Sequence, residues 1–367
     1  MRLMICGGGT GGHIYPALSV ATVLAASTPN LELLWVGTRG QTEERLVPQA
    51  GIRLETIQGG PIVGVPLATR LRNGTRLLWS LGSAWRLLRR FQPQVLFMTG
   101  GYVNVPVALA ARLRRIPAAI YLPDIEPGSA IKFLSRFAAK VACSSADSTV
   151  YFDAGKAIVT GYPVRAEVRT AAQMEKAAAL ARFDLQPGRL TLFVFGGSRG
   201  ARSINRALMA ILPTLLAEYQ VIHISGELTW LETVQNAAQL PAELRAYYRP
   251  YAYLDEEMGP AYRAADLVVA RAGASMLGEC PAFGLPAILV PYPYTWRYQK
   301  VNADYLAARG AAVRLDDERM TDELLPTIQA ILGNAARRAA MAAAAATLDQ
   351  PQAAQKIAQL LRQLLET

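Results

Sequence analysis

Two glycine-rich stretches each follow a short apolar run: Gly7-Gly8-Gly9-Thr10-Gly11-Gly12 after Leu3–Cys6, and Gly196-Gly197-Ser198-Arg199-Gly200-Ala201 after Leu190–Phe195. A strand that turns through glycines into a helix presents backbone N–H groups at the helix N-terminus, where the dipole favours an anion. Gly7, Gly9 and Gly12 match the dinucleotide spacing G-x-G-x-x-G. That reading also needs an acid at the end of the second strand, and Trp35-Val36-Gly37-Thr38-Arg39 has none, although Arg39 suits an NADP phosphate. An NADP oxidoreductase and a purely structural turn therefore both stay open for the first loop. His13, directly after Gly12, titrates near neutral pH and is a candidate general base; the same position also suits a helix cap.

The second half adds Arg271-Ala272-Gly273-Ala274-Ser275 and then Glu279. At a spacing of four, Ser275 and Glu279 are expected on one helix face at the carboxyl end of a strand, where open α/β sheets bind ligands. A carboxylate there accepts two hydrogen bonds from a ribose diol; the alternative is a solvated helix Glu. Gln299 and Asn302 carry neutral amides suited to sugar hydroxyls. His223, inside Val221-Ile222-His223-Ile224, reads as a partly buried strand residue.

Short apolar runs that alternate with helical patterns position these groups. Strands are expected at 1–6, 31–36, 95–98, 118–122, 141–143 and 157–160, and again at 190–195, 220–225, 267–270, 287–290 and 311–315. Continuous apolar strands between helices imply parallel sheets covered on both faces. The fold class is thus α/β, with two Rossmann-like domains in tandem: 1–160 and 161–349, joined at Gly161-Tyr162-Pro163-Val164-Arg165. The segment 335–347 and the tail read as helices, and the tail, 350–367, is expected to pack back on the first domain.

The chain has 367 residues, 52% hydrophobic and 18% charged, enough for two cores. Three widely separated cysteines exclude a disulfide scaffold, and two histidines argue against a His-based zinc site; no metal and no cofactor is expected. Residues 1–150 hold 16 Lys and Arg against 7 Asp and Glu, whereas the remainder holds 22 against 21. The excess positive charge therefore sits in one half and implies an anionic surface partner. Segment 70–90 interleaves Leu78, Leu81, Trp85 and Leu88 at helical spacing with six arginines, and residues 70–140 hold 12 bases against Asp124 and Glu126. That pattern suits an anionic membrane surface better than nucleic acid, for which no recognition motif is present. The leucines alone also fit a core-facing helix. No signal peptide or membrane-spanning run is read, so the expected location is the cytoplasmic side.

Taken together, the motifs resemble the MurG family. The resemblance rests on Gly8-Gly9-Thr10-Gly11-Gly12-His13, Gly100-Gly101-Tyr102-Val103, the Gly161…Pro163-Val164-Arg165 junction, Gly196–Ala201, Ser225-Gly226, Arg271–Ala274…Glu279…Gly284-Leu285-Pro286 and Gln299…Asn302-Ala303. It implies a GT-B fold, two Rossmann-like domains facing a cleft, and inverting transfer of N-acetylglucosamine (GlcNAc) from UDP-GlcNAc to a lipid-linked muramyl-pentapeptide. By the resemblance Glu279 holds the ribose, Ser198 and its loop the diphosphate, the backbone near Leu254 the uracil and Gln299 the sugar. Arg165 lies near the phosphates, while Thr10, Gly11, Gly12 and His13 face the acceptor diphosphate. The family's His-Glu-Gln-Asn segment reads Pro123-Asp124-Ile125-Glu126 here, so a carboxylate replaces an amide on the acceptor side. Tyr162 replaces a hinge asparagine, and Trp296-Arg297 replaces more acidic residues.

The resulting expectation is a peripheral enzyme on the cytoplasmic face of the membrane, with UDP-GlcNAc and a lipid-linked acceptor as substrates. His13 is the first candidate base and Glu126 the second. A different lipid acceptor such as diacylglycerol, and a non-catalytic nucleotide-sugar-binding protein, are the other readings.

Overall fold

A computed structural model describes residues 1–57, 67–197, 200–294 and 298–366, with backbone alone over 67–78. It divides into two units: residues 1–165 with 350–367, and residues 166–349.

The first unit runs β1 (Arg2–Gly7), α1 (Gly11–Ser27), β2 (Glu32–Thr38), α2 (Glu43–Gln49), β3 (Arg53–Ile57), α3 (Leu67–Phe91), β4 (Val95–Gly100), α4 (Asn104–Leu113), β5 (Ala118–Leu122), α5 (Ser129–Leu134), β6 (Lys140–Cys143) and β7 (Ala157–Val159). All seven strands are parallel, in the order β3-β2-β1-β4-β5-β6-β7. Central strands are apolar because both of their faces are covered by helices; Leu3, Met4, Ile5 and Cys6 of β1 are all buried.

The second unit runs α6 (Ala166–Ala171), α7 (Lys176–Ala181), β8 (Thr191–Phe195), α8 (Arg202–Glu218), β9 (Gln220–Ile224), α9 (Trp230–Gln239), α10 (Ala242–Arg245), β10 (Tyr248–Tyr251), α11 (Met258–Ala264), β11 (Leu267–Arg271), α12 (Glu279–Phe283), β12 (Ala287–Val290), α13 (Tyr298–Ala308), β13 (Ala312–Arg314), α14 (Met320–Leu332) and α15 (Ala335–Ala346). Its six parallel strands are ordered β10-β9-β8-β11-β12-β13. The last helix, α16 (Ala353–Gln363), belongs to the first unit. It packs on α1, and Arg362 donates to Thr28 Oγ1 at 3.1 Å just past the C-terminal end of α1, where a cation complements the helix dipole.

Two strands have no counterpart among the apolar runs of the sequence. β3, Arg-Leu-Glu-Thr-Ile, and β10, Tyr-Arg-Pro-Tyr, are both edge strands with one paired side. An edge strand tolerates charge and even proline, so its sequence carries no continuous hydrophobic signal.

Both sheets reverse strand order once, between β1 and β4 and between β8 and β11. Loops leaving adjacent strands there diverge to opposite sides and open a crevice at the carboxyl edge, the usual ligand position in open α/β sheets. The two glycine loops follow β1 and β8.

Candidate functional sites in the two units

In the first unit, β1 ends with its Gly7 carbonyl accepting from the buried Trp35 indole N–H at 2.8 Å. The chain turns through Gly9, φ +94°, and enters α1 behind the extended, exposed Thr10. The amides of Gly11 and Gly12 lie in the first turn, where an α-helix has no internal acceptor for them. His13 packs against the loop after β4: a Cβ at Gly100 would lie 3.0 Å from both Cε1 and Nδ1 of the imidazole, and Gly100 has φ +109°. Glycine is required there by conformation and by space alike. His13 Nδ1 is buried and has no hydrogen-bond partner among the described residues. Burial lowers the His13 pKa to about 4, so the ring is neutral at pH 7 and able to take a proton. Arg165, at the end of the unit, stacks its guanidinium 4.2 Å from the centroid of the Tyr15 ring in the second turn of α1. The structure thus gathers Thr10, Gly11, Gly12, His13 and Arg165 around one helix N-terminus.

Glu126 lies between β5 and α5 and is 5% exposed, with Lys132 Nζ 3.5 Å from its Oε1. From the same helix α5, Ile131 reaches Gly100. Another carboxylate, Glu43 at the start of α2, lies under the glycine loop itself. It is fully buried and accepts from Gly9 N at 2.9 Å and Thr38 N at 2.8 Å. Burial first, and the Glu43 charge second, push the Cys6 thiol up, leaving it unreactive. The carboxylate fills the space between the loop and the end of β2, where a dinucleotide places its ribose. Both oxygens of this carboxylate are engaged by backbone N–H groups of the protein itself.

In the second unit, β8 leads through Gly196-Gly197 to Gly200 and Ala201 ahead of α8. Ser198 and Arg199 lie outside the described residues, as do Trp296 and Arg297. A side chain at Gly200, φ +76°, would overlap the Ser225 carbonyl, and one at Gly196 would overlap the Ala201 amide. The Ser225 carbonyl is itself held by Asn205 Nδ2 at 2.7 Å and Thr229 Oγ1 at 2.8 Å. Asn205 Oδ1 meets His223 Nε2 at 3.1 Å, and His223 Nδ1 meets the Tyr248 hydroxyl at 2.7 Å. Since Nδ2 of Asn205 donates, its Oδ1 accepts; His223 therefore carries its proton on Nε2 and accepts from Tyr248 on Nδ1. His223 is completely buried rather than half-buried, and burial lowers its pKa to about 3. It backs the glycine loop through Asn205 and is closed to solvent.

Glu279 is the first residue of α12 and 8% exposed; its Oε2 accepts from the buried Tyr262 hydroxyl at 2.7 Å. Ser275 does not share a helix with it. Residues 274–277 form a 3₁₀ turn, and Gly278 breaks the chain before α12 begins. Sequence spacing alone could not show this break, because four residues of 3₁₀ and one glycine keep the separation but change the direction. Gln299 turns its carbonyl end inward, accepting from Tyr292 N at 2.9 Å, so its amide end is the one that can donate outward. Asn302 is buried and donates to the Ala272 carbonyl at 3.1 Å, a brace for the loop after β11 and not a sugar contact. Leu254 is buried in the β10–α11 loop. Arg271 joins three segments, the start of α8, the end of β12 and the turn before α14: it donates to Ser203 Oγ at 2.7 Å and to the Pro291 carbonyl at 3.3 Å, and it pairs with Asp317. A cavity of about 840 Å³ beside it is walled by Gly200, Ser203, Arg271 and Tyr292, and Glu279 lies outside it.

The basic face of the first unit divides differently from its sequence pattern. Leu88 turns inward into the core with Ala84, whereas Trp79 is 75% exposed and Trp85 partly so, with the Arg114 guanidinium 5.3 Å from the Trp85 ring centroid. Leu113 is exposed beside Arg112. Arg70, Arg72, Arg76 and Leu78 fall where only the backbone is described. No helix among the described residues is long and apolar enough to cross a membrane.

Two parallel-sheet Rossmann-like units, each with a glycine loop at its point of strand reversal, make up the GT-B fold class. Residues 3–143 match the glycosyltransferase family 28 N-terminal domain, and residues 191–360 match the family 28 C-terminal domain. A UDP-N-acetylglucosamine–N-acetylmuramyl-(pentapeptide) pyrophosphoryl-undecaprenol N-acetylglucosamine transferase of Roseiflexus sp. (strain RS-1) is 40% identical, over 100% of this chain and 95% of its own. The enzyme of the same name from Desulfitobacterium hafniense (strain Y51) is 40% identical over 97% of each chain. The crystal structure of Acinetobacter baumannii MurG superposes with a TM-score of 0.77 at 29% identity, covering 99% of both chains. The chain belongs to the MurG family, and it is an enzyme.

Sequence reasoning missed Glu43, Tyr262 and Asn205, and it quoted Arg271 without giving it a role. Glu43 sits among exposed polar residues and reads as a solvated helix start; the only hint was a pair of glycines, Gly8 and Gly37, whose purpose the turn does not explain.

Proposed function

We propose that the protein is an inverting transferase that moves GlcNAc from UDP-GlcNAc to a lipid-linked muramyl-pentapeptide at the cytoplasmic membrane face. The observation that carries this reading is the likeness, along the whole chain, to relatives named for that reaction. Residues 161–349 hold the donor, with the Glu279 carboxylate on the ribose diol, the backbone near Leu254 on the uracil, and Gln299 on the sugar. The Ser198 loop and the first turn of α8 take the diphosphate. Residues 1–160, with the tail, hold the acceptor.

An acceptor hydroxyl attacks the anomeric carbon from the face opposite UDP. The new C–O bond forms as the bond to the diphosphate breaks, and UDP leaves with the electron pair. Positive charge grows on the sugar and negative charge on the departing diphosphate, which helix N–H groups and Arg165 stabilise. The hydroxyl proton goes to His13 as first choice of base. The low pKa of His13 keeps it unprotonated before substrate arrives; an acceptor diphosphate at the N-terminus of α1 favours the imidazolium and raises its basicity when it is needed. Glu126 is the second candidate, with Lys132 Nζ 3.5 Å from its Oε1. The exposed Trp79, Trp85 and Leu113, among arginines, rest on anionic lipid.

The test is UDP release with muramyl-pentapeptide lipid beside diacylglycerol, preceded by thermal shift with UDP, UDP-GlcNAc, UDP-glucose and NADP. Stabilisation by UDP-GlcNAc and release with the muramyl lipid alone is expected. Release with diacylglycerol alone overturns the acceptor, and stabilisation by NADP alone overturns the donor. His13→Ala is expected to lower turnover by 100-fold or more, the usual order for loss of a general base, with Glu126→Gln lowering it less.

A further inference from the structure

We propose that Glu43 is a positioning residue for the acceptor-side loop, its two oxygens holding the Gly9–His13 segment in the arrangement that turnover requires. The proposal rests on the reading of that loop given above. Among the described residues, Glu43 is the one fully buried acid of the first unit, while Gln41, Glu44 and Arg45 around it are exposed. Its slot is built by glycines that serve no turn. Gly8 and Gly37 both have φ outside the left-handed region, so conformation does not require glycine at either position. Space does: a Cβ at Gly8 would overlap the carboxylate, and one at Gly37 would come within 2.6 Å of Glu43 Cγ. Two positions, one in the β1–α1 connection and one near the end of β2, are thus reserved for one carboxyl group.

What that group does follows from its bonds. Each oxygen accepts one backbone N–H, from Gly9 at 2.9 Å and from Thr38 at 2.8 Å, so the carboxylate ties the β1–α1 connection to the end of β2. Gly9 is the last anchored residue before Thr10, whose carbonyl accepts from His13 N at 3.1 Å to begin the helix. The Gly7 carbonyl is fixed by Trp35 on the other side. Between these two clamps the loop has one path, and His13 stands at its end. Only a group that accepts twice and donates nowhere fits between two N–H donors.

Glu43→Gln keeps the shape but turns an NH₂ toward one of those donors. Loss of a buried acceptor of this kind is worth about tenfold to a hundredfold in rate. The expected result is that loss in kcat/KM for the lipid-linked acceptor, an unchanged KM for UDP-GlcNAc, and faster amide exchange over residues 8–14 with none in 191–225. Gly37→Ala, which leaves the carboxyl in the chain but pushes it from its slot, is expected to give the same split if Glu43→Gln fails to fold. Acceptor kinetics within twofold of wild type, an equal loss in donor KM, or unchanged exchange over 8–14 overturns the role of Glu43. Absence of UDP release by the wild-type enzyme with the muramyl lipid overturns the acceptor reading instead, and amide exchange then still decides whether Glu43 holds the loop.

Discussion

Both halves of the molecule run a glycine loop from a buried parallel strand into a 17-residue helix, α1 or α8, yet they hold those loops with opposite chemistry. Under the first loop lies a carboxylate that takes two backbone N–H groups. Behind the second lies a neutral chain of Tyr248, His223, Asn205 and Thr229 that ends by donating to a backbone carbonyl, Ser225. One loop is held through its donors and the other through a neighbouring acceptor. The difference matters for an anionic ligand. A neutral buttress leaves the dipole of α8 uncompensated for a diphosphate, whereas a fixed negative charge beside the start of α1 weakens the same attraction. The first loop must then draw on Arg165 and on other parts of its substrate.

Three changes put that comparison under strain. The largest effect is expected from Gly200→Ala. The added methyl meets the Ser225 carbonyl and the backbone there has φ +76°, so the second glycine loop must move. Left-handed strain of about 1–2 kcal/mol adds to the steric overlap. Titration with UDP-GlcNAc is expected to show at least hundredfold weaker binding, and binding within threefold of wild type breaks the account of the second loop.

Acid stability comes next. His13 and His223 are both held neutral by burial, at about 4 and about 3, below their usual 6.5. Between those values and 6.5 the unfolded chain binds more protons than the folded one, so stability is full above about pH 6.5 and falls as the pH drops toward 4 and then 3. Each shift is worth up to a few kcal/mol. Denaturant unfolding from pH 7 to 3 is expected to show that fall, shallower between pH 6.5 and 4 in His13→Ala. An unchanged slope in that variant means the ring is not buried as described.

The smallest effect is expected from Asn205→Asp, which reverses the polarity of the second buttress and leaves a carboxylate facing the Ser225 carbonyl. About tenfold in donor KM, with acceptor KM unchanged, is expected from steady-state kinetics. An effect on the acceptor side alone contradicts the division of labour.

Much of this organisation was legible in the residues. The apolar runs locate eleven of the thirteen strands among the described residues, and the glycine loops follow the two strands, β1 and β8, at which strand order reverses. Edge strands β3 and β10 escape because half-paired strands need no hydrophobic pattern, as Arg53, Glu55 and Pro250 show. Candidate residues were legible wherever a side chain announces its chemistry by type, as those of His13 and Glu279 do. They were illegible where one residue holds another far along the chain, as Asn205 does Ser225, Tyr262 does Glu279 and Glu43 does Gly9. Ser275 failed for a different reason, since a 3₁₀ turn and a helix share their spacing at four residues only on paper.

The central claim is that the second unit serves the donor and the first the acceptor. Initial-rate kinetics with both substrates varied, on wild type, Glu279→Gln and His13→Ala, tests it most directly. Glu279→Gln is expected to raise the KM for UDP-GlcNAc by about tenfold or more and leave the acceptor KM in place, while His13→Ala lowers kcat with the donor KM unmoved. If His13→Ala raises the donor KM as Glu279→Gln does, or if neither variant changes any constant, the assignment of the two units is wrong.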